Sequence, residues 1–386
     1  MNSYLRMDPN VAFRWITTGD QVIAEMMAAI SGAKRSIRME MYIFAPGPSA
    51  ELLRHALVSA CQRGVRVRIL LDAWGSIGLP STFWDILRVN SGQFRWFNPI
   101  TLRQLVFRDH RKMLVCDDES AIIGGFNIGP SYTGDGVTRG WRDLGLALCG
   151  TLAQELALAF DEMFTDADFT HPPFARLLPS RQRTIQTSVG RLLLSGPGRN
   201  NPIKRALLND FQNASRIQIM SAYFLPTWRL RRALAKAARR GAQVQLILPG
   251  KTDVPLSSLA AQSFYTRLLR SGVEIFEYQP QILHAKLILI DDVVYAGSAN
   301  LDTRSLGINY ELTLRLANSH LAAQGRDIFA HDLPLCRRID PQQWRKSRSM
   351  WEKLKARMSY LLLARLDPSI AHYQWRNIGQ RLKQRR

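Results

Sequence analysis

Apolar positions along this chain change period in a set order, and the order occurs twice. A short apolar run ending at Thr18-Gly19-Asp20 gives way to Val22, Ile23, Met26, Met27 and Ile30, which share one face of a helix. The run 192–195, closed by Gly196, leads likewise into a helical pattern over 203–211. Each copy continues through an Ala-Lys-Arg or Ala-Ser-Arg turn into an apolar strand, 37–44 and 217–224, and then into a basic helix, 51–63 and 230–240. Both helices end at glycine. Gly64 introduces VRVRILLD and Gly241, 177 residues later, introduces AQVQLILP, so a glycine C-cap hands the chain to a buried strand in each copy.

Helices alternating with strands that are apolar on both faces predict an α/β fold whose largely parallel or mixed sheets are covered by helices. The repeat predicts two fused homologous α/β sandwich halves, a first over 1–180 and a second over 187–335. Periodicity fails over 166–186, which holds Pro172, Pro173 and Pro179, and the linker between the halves is expected there. Residues 336–386 stand apart as a basic amphipathic C-terminal tail.

Composition narrows the partners. The 386 residues are 46% hydrophobic, enough for two ordinary domains or one duplicated unit, and exclude a disordered or fibrous chain. Lys and Arg outnumber Asp and Glu by 52 to 31, a net +21, so the folded surface carries a positive field that attracts polyanions, whether nucleic acid or an anionic membrane. Cys61, Cys116, Cys149 and Cys336 form no CxxC pair, and Cys116 and Cys149 lie in apolar runs that read as buried strands. Free thiols in a reducing compartment are expected. The opening MNSYLRMDPN lacks the features of an export signal, and no run approaches the roughly 18 apolar residues of a spanning helix, so membrane contact is expected to be peripheral.

The chemistry-bearing residues are duplicated too. His110-Arg111-Lys112 begins a run that ends at Asp117 and is followed by Gly124-Gly125-Phe126-Asn127. His284-Ala285-Lys286 begins the second run, which ends at Asp291 and is followed by Gly297-Ser298-Ala299-Asn300. The two histidines are 174 residues apart, close to the spacing of the glycine caps. Side chains two apart on a strand share a face, which aligns His110 with Lys112 and His284 with Lys286. Asp117 and Asp291 have the opposite parity and are expected to hold structure, by pairing with a buried donor or turning the chain. Gly125 with Asn127, and Ser298 with Asn300, offer small residues and an amide for close approach to a phosphate.

Two His-x-Lys strands supply what cleavage of a phosphodiester needs. One neutral imidazole attacks phosphorus, and the other protonates the leaving alcohol and later deprotonates the acceptor. Lys112, Lys286, Asn127 and Asn300 then neutralise the nonbridging oxygens. This chemistry needs no metal or cofactor, and lysine beside each histidine disfavours a zinc site.

The two segments resemble the HxKxxxxD…GxxN motifs of the phospholipase D superfamily, over most of residues 13–335. Six residues separate Asp117 from Gly124, as in that family's pattern, but five separate Asp291 from Gly297. The resemblance implies a bilobed fold with pseudo-twofold symmetry, a site between the halves and a phosphohistidine intermediate, with His110 as nucleophile and His284 as acid and base. It also implies a carboxylate downstream of each motif that holds the histidine's second ring nitrogen, matched by Glu311 and, within Gly140-Trp141-Arg142-Asp143, by Asp143. MEMYIF, NIGPSY, GWRDLGL and GSANLDTRSLGINYEL are similar to bacterial cardiolipin synthases and related phosphatidyltransferases. That similarity implies phosphatidylglycerol as donor, a second lipid as acceptor, no cofactor, and a peripheral place on the cytoplasmic side of the inner membrane. No obligate protein partner is evident. Glu40 and Tyr42 lie at a strand end that approaches the site, although Glu40 reads equally well as the partner of a nearby arginine.

The tail adds a second basis for membrane contact. From 341 to 386 it holds twelve Lys and Arg against Glu352 and Asp367, and Trp344, Trp351, Leu354, Met358, Leu361 and Leu362 recur at helical spacing. Three readings stand open: an interfacial membrane helix, a helix docked by that stripe on the domain, and a nucleic-acid-binding tail. The rival functions are a nuclease using the same histidines, a hydrolytic phospholipase, and a catalytically silent membrane-binding protein.

Overall fold

The computed structural model describes residues 13–98, 107–167, 182–198 and 200–365. The opening decapeptide, the linker prolines Pro172, Pro173 and Pro179, and the tail beyond 365 lie outside the described residues.

The first sheet contains β1 (Phe13–Ile16), β2 (Ser36–Met41), β3 (Arg66–Asp72), β4 (Gln93–Phe97), β5 (Met113–Cys116), β6 (Ser120–Gly124) and β7 (Gly145–Cys149). Its spatial order is β1-β7-β6-β5-β2-β3-β4. The second contains β8 (Arg183–Gln186), β9 (Arg191–Ser195), β10 (Arg216–Ser221), β11 (Gln243–Pro249), β12 (Glu274–Tyr278), β13 (Lys286–Ile290), β14 (Val293–Gly297), β15 (Glu311–Ala317) and β16 (Cys336–Arg338). Between β9 and β12 it runs β9-β15-β14-β13-β10-β11-β12, the order of the first sheet, with β8 and β16 added at the edges. In each sheet three strands are parallel, β2-β3-β4 and β10-β11-β12, and the other pairs are antiparallel. The halves are therefore one mixed fold used twice.

Local signals place the helices. The Thr18 hydroxyl accepts the Gln21 N–H at 3.1 Å to start α1 (Gly19–Gly32). α2 (Pro48–Gln62) opens with proline in its first turn and gives way, past Arg63, to Gly64 at φ 87°. The short α3 (Asp85–Val89) leads into β4, and α4 (Thr151–Thr165) follows β7. In the second half Asn201 caps α5 (Pro202–Asp210), and α6 (Trp228–Arg239) gives way to Gly241 at φ 97°. α7 (Pro255–Leu269) and α8 (Ser319–Asp332) complete that half. Three cores result. α1 and α2 cover the outer face of the first sheet, and α5, α6 and α7 that of the second. The inner faces of both sheets, with α4 and α8, share a third core. A buried ion pair, Arg142 Nε to Asp332 at 2.8 Å, and a bond from Trp15 Nε1 to the Leu321 carbonyl at 3.3 Å cross between the halves.

Several expectations change. Residues 183–186, expected in the linker, pair with β9 as an edge strand that is too short and polar to announce itself. Residues 336–338, expected at the head of the tail, pair with β12. Cys116 is buried as expected, but Cys149, at the end of β7, is only half-buried, and all four cysteines are free. The tail forms two helices, α9 (Pro341–Ser347) and α10 (Met350–Arg365). A reciprocal cap divides them: the Ser349 hydroxyl accepts the Glu352 N–H at 3.1 Å while the Glu352 carboxylate accepts the Ser349 N–H at 2.8 Å. Trp344 on α9 packs against Tyr265 at 5.1 Å, whereas Trp351 on α10 is exposed, so the anticipated single stripe is split.

Candidate active site

Each His-x-Lys run leads into a central strand: His110 to Lys112 lie just ahead of β5, whereas His284 and Ala285 precede β13 and Lys286 is its first residue. Asp117 and Asp291 close those strands in left-handed turns, at φ 57° and 49°. The Asp117 carboxylate accepts backbone N–H bonds from Lys34, Arg35 and Ser36 at 2.9, 2.7 and 2.8 Å, tying the hairpin to the start of β2. Asp291 does the same for Ser215 and Arg216 at the start of β10. Both carboxylates lie at the far end of the strand from the histidines. The shorter second turn has one left-handed residue where the first has two, Asp117 and Asp118, and β14 keeps its pairing with β13 and β15.

Ahead of the strands, each run leaves its own sheet and pairs with the other half. Asp109 bridges to Tyr310, and the His110 N–H donates to the Tyr310 carbonyl at 2.9 Å. Arg142 bridges to Leu283, and the His284 N–H donates to the Arg142 carbonyl at 2.7 Å. The residues after Tyr310 and Arg142 are Glu311 and Asp143, so the carboxylates cross over. Glu311 stands 2.9 Å from His110 Nδ1, and Asp143 stands 2.5 Å from His284 Nδ1. Each imidazole is thus oriented by a carboxylate from the opposite half, with Nε2 left as its second nitrogen.

Burial dominates the electrostatics. It lowers His110 well below 6.5, helped by Lys112, Lys286 and Arg304. His284 falls to about 4 through burial and Lys286, against the opposing pull of Asp143. Lys112 is pushed to about 7 by burial although Glu311 counteracts it, and Lys286 is lowered for the same first reason. Burial raises Glu311 to about 7 against the attraction of Lys112. Both imidazoles are neutral at pH 7 in a cluster that an arriving anion would recharge. The lysines lie beneath their own histidines: Lys112 Nζ donates to the His110 carbonyl at 2.7 Å, and Lys286 Nζ approaches His284 Nδ1 at 2.9 Å.

Both histidines open onto one cavity of about 200 Å³, together with Asn127 and Asn300. Tyr42, Trp74, Tyr132, Trp141 and Tyr223 form the aromatic part of its wall. Tyr42 meets the His110 ring edge-on at 4.8 Å, as expected of a residue near the site, and Tyr132 and Trp141 each lie 5.4 Å from the His284 ring. Three expected substrate contacts stand elsewhere. Ser298 Oγ donates to Glu311 at 2.5 Å, and a Cβ at Gly125 would fall 2.1 Å from Asp143 Oδ1, so both small residues serve the carboxylates instead of the cavity wall. Glu40 is buried near the C-terminal end of β2, as expected, 3.9 Å from Arg111, and burial followed by Asp109 raises its carboxyl well above the usual range. It does not line the cavity, and it makes no hydrogen bond to the Arg111 guanidinium.

The sequence reading missed other residues. Arg108, Arg304, Tyr223 and Asp253 also line the cavity, and Asp253 accepts the Tyr223 hydroxyl at 2.9 Å. Asp72 accepts N–H bonds from Asp109, Trp74 and Gly75 and so fixes the approach to His110. Arg304 lies inside the GSANLDTRS string and Arg108 two residues before His110, the only signals that pointed to them.

Comparison with known proteins agrees with this geometry. The family model described as "Cardiolipin synthase, PLD-like domain" matches residues 26–162 and again 207–333. Cardiolipin synthase A from Escherichia coli strains is 31% identical over 360 residues, covering 89% of this chain and 74% of the relative. The crystal structure of phosphatidylserine synthase from Haemophilus influenzae Rd KW20 superposes with a TM-score of 0.73 at 14% identity, over 95% of this chain and 96% of the other. Polyphosphate kinase from Porphyromonas gingivalis shares the fold at a TM-score of 0.59 and 17% identity, over 86% of this chain and 49% of that one. With its motif, its sheet order and its family match each present twice, the chain belongs to the cardiolipin synthase, PLD-like domain family of the phospholipase D superfamily.

Proposed function

We propose that the protein is a phosphatidyltransferase that makes cardiolipin from phosphatidylglycerol and a second phospholipid through a phosphohistidine intermediate. The observation that carries this reading is the pair of buried histidines, each oriented by the other half's carboxylate, facing one cavity. By the resemblance of its motif, His110 is the nucleophile: its Nε2 lone pair bonds to phosphorus as the P–O bond to the leaving glycerol breaks. Glu311 accepts the Nδ1 proton of the positively charged intermediate. His284, recharged by the bound phosphodiester and by Asp143, gives its proton to the departing oxygen. It then takes the proton of the acceptor hydroxyl, whose oxygen attacks phosphorus and breaks the P–N bond, restoring His110. Lys112, Lys286, Asn127 and Asn300 offset the charge on the nonbridging oxygens.

The E. coli relative's name supports the lipid product. We place the protein peripherally at the cytoplasmic face of the bacterial inner membrane, whose anionic leaflet attracts a chain of net charge +21. The test is incubation with phosphatidylglycerol vesicles, with and without phosphatidylethanolamine, and mass spectrometry of the lipids. Cardiolipin is expected, with His110→Ala and His284→Ala each reducing it by at least about 10³-fold. Phosphatidic acid alone would make the enzyme a hydrolase. Full turnover by either histidine variant would sink the two-histidine mechanism, and cleavage of oligonucleotides without lipid products would replace the reading with a nuclease.

A further inference from the structure

α10 carries two apolar faces. The inner face presents Ala356, Ser359, Tyr360 and Leu363 to the second half: the Tyr360 ring meets Phe264 of α7 at 4.9 Å, and Leu363 reaches the wall of the active-site cavity. The opposite face presents Trp351, Leu354 and Met358 at 63, 49 and 55% exposure, continued by Leu361 and Leu362. Helical spacing sets these five on one stripe. Of the thirteen exposed large apolar side chains among the described residues, six lie on α10, so this is a patch and not the usual scatter. Among the described residues no helix is long and apolar enough to cross a membrane.

Beside the stripe, between α7 and the pair α9–α10, runs a groove of about 440 Å³. Arg231, Arg267, Arg348, Lys353 and Arg357 line it, with no carboxylate among its walls. Arg231 lies over the Phe264 ring at 3.9 Å, and its Nη1 is buried without a hydrogen-bond acceptor. Five cations line the groove, and the carboxylate that couples to them, Glu352 beside Arg348, lies outside its walls and is held by the Ser349 N–H, so the cations repel one another until an anion joins them.

We propose that the α10 stripe and the adjoining cationic groove are the face on which the protein sits on an anionic phospholipid bilayer. The stripe enters the acyl boundary, Trp351 lies at headgroup level, and the groove cations bind lipid phosphates. Charge complementarity selects this occupant. A second copy would bring the same +21 to a cationic seam, and nucleic acid would satisfy the cations while leaving the stripe in water. The inference extends the phospholipid reading of the site, because the helix lying on the bilayer also walls the cavity through Leu363.

The test uses the full chain, the double variant Leu354→Ser with Met358→Ser, and the double variant Lys353→Glu with Arg357→Glu. Cosedimentation is measured with phosphatidylglycerol/phosphatidylcholine vesicles and with phosphatidylcholine alone, and turnover with short-chain phosphatidylglycerol dispersed in detergent. The unaltered chain is expected to bind only the anionic vesicles. Each variant should lose at least tenfold in binding while its thermal melt and its detergent turnover stay within twofold of the parent. Variants that bind the anionic vesicles like the parent overturn the proposal. So does a fall in oligomeric mass on stripe substitution with vesicle binding intact, which assigns the face to a second copy. Oligonucleotide binding lost only in the charge variant, without vesicle binding by the parent, overturns it in favour of nucleic acid. Absence of lipid turnover with normal, stripe-dependent vesicle binding would sink the proposed reaction and leave the docking face standing.

Discussion

Asp143 stands 2.5 Å from His284 Nδ1 and opposes the burial and the Lys286 charge that lower this imidazole to about 4. An anion beside an imidazolium raises its pKa, so its removal lowers the pH at which His284 ceases to be an acid. Asp143→Asn is therefore expected to cut kcat at pH 7 by about 10²–10⁴-fold, leave KM within about threefold, and move the alkaline limb of kcat to lower pH. A merely structural Asp143 would lower the melting temperature and leave the limb in place. Glu311 stands likewise 2.9 Å from His110 Nδ1, and its own carboxyl is raised to about 7 by burial. Both carboxylates were legible as residues; their partners were not. The bonds they make span 201 and 141 positions, and no local pattern reports a contact at that range.

At the scale of elements, carboxylate turns hold the duplicated strands in register. Burial tends to raise Asp117, but N–H bonds from Lys34, Ser36 and Arg35 hold it below the ordinary value. A depressed folded-state pKa contributes stability that is present above the unfolded value and lost as pH falls through the folded one. Asp117→Ala is expected to destabilise the fold by about 1–2 kcal/mol at pH 7, and by progressively less as pH falls below about 4, as followed by thermal melts across pH. Equal destabilisation at pH 7 and pH 2 would remove the carboxylate from the explanation. The glycine caps Gly64 and Gly241 and the opposite parity of the two aspartates were readable from spacing. β8 and β16 were not, because strands of four and three residues bury too few side chains to impose a period. The stripe on α10 was readable as apolar, but which way it faced was not: the docking contacts use Ala356, Ser359 and Tyr360, which composition does not single out.

At the scale of the molecule, the halves are joined by the shared inner core and by the buried pair of Arg142 and Asp332. Arg142 also donates to the Thr17 carbonyl, and its own carbonyl receives the His284 N–H, so one residue ties the junction to the site. Arg142→Met leaves Asp332 buried without its cation, which costs about 3–5 kcal/mol. Chemical denaturation should register that loss. Arg142→Met with Asp332→Leu should recover most of it, since an apolar pair of similar volume replaces buried charges at little net cost. Failure of the double variant to recover would mean that the guanidinium's bond to the Thr17 carbonyl, and not the ion pair, carries the junction.

The sequence by itself determined that the chain is a duplication, that its strands are buried on both faces, and that two His-x-Lys runs, each followed by an asparagine, recur in the same order. These follow from period, parity and repetition, which are properties of neighbouring positions. Tertiary structure alone decided that the runs leave their own sheets, that each half lends its carboxylate to the other's histidine, and that the stripe of α10 points outward. Those outcomes depend on how two sheets meet across a common core, and contacts between distant positions leave no mark in the order of residues on either side.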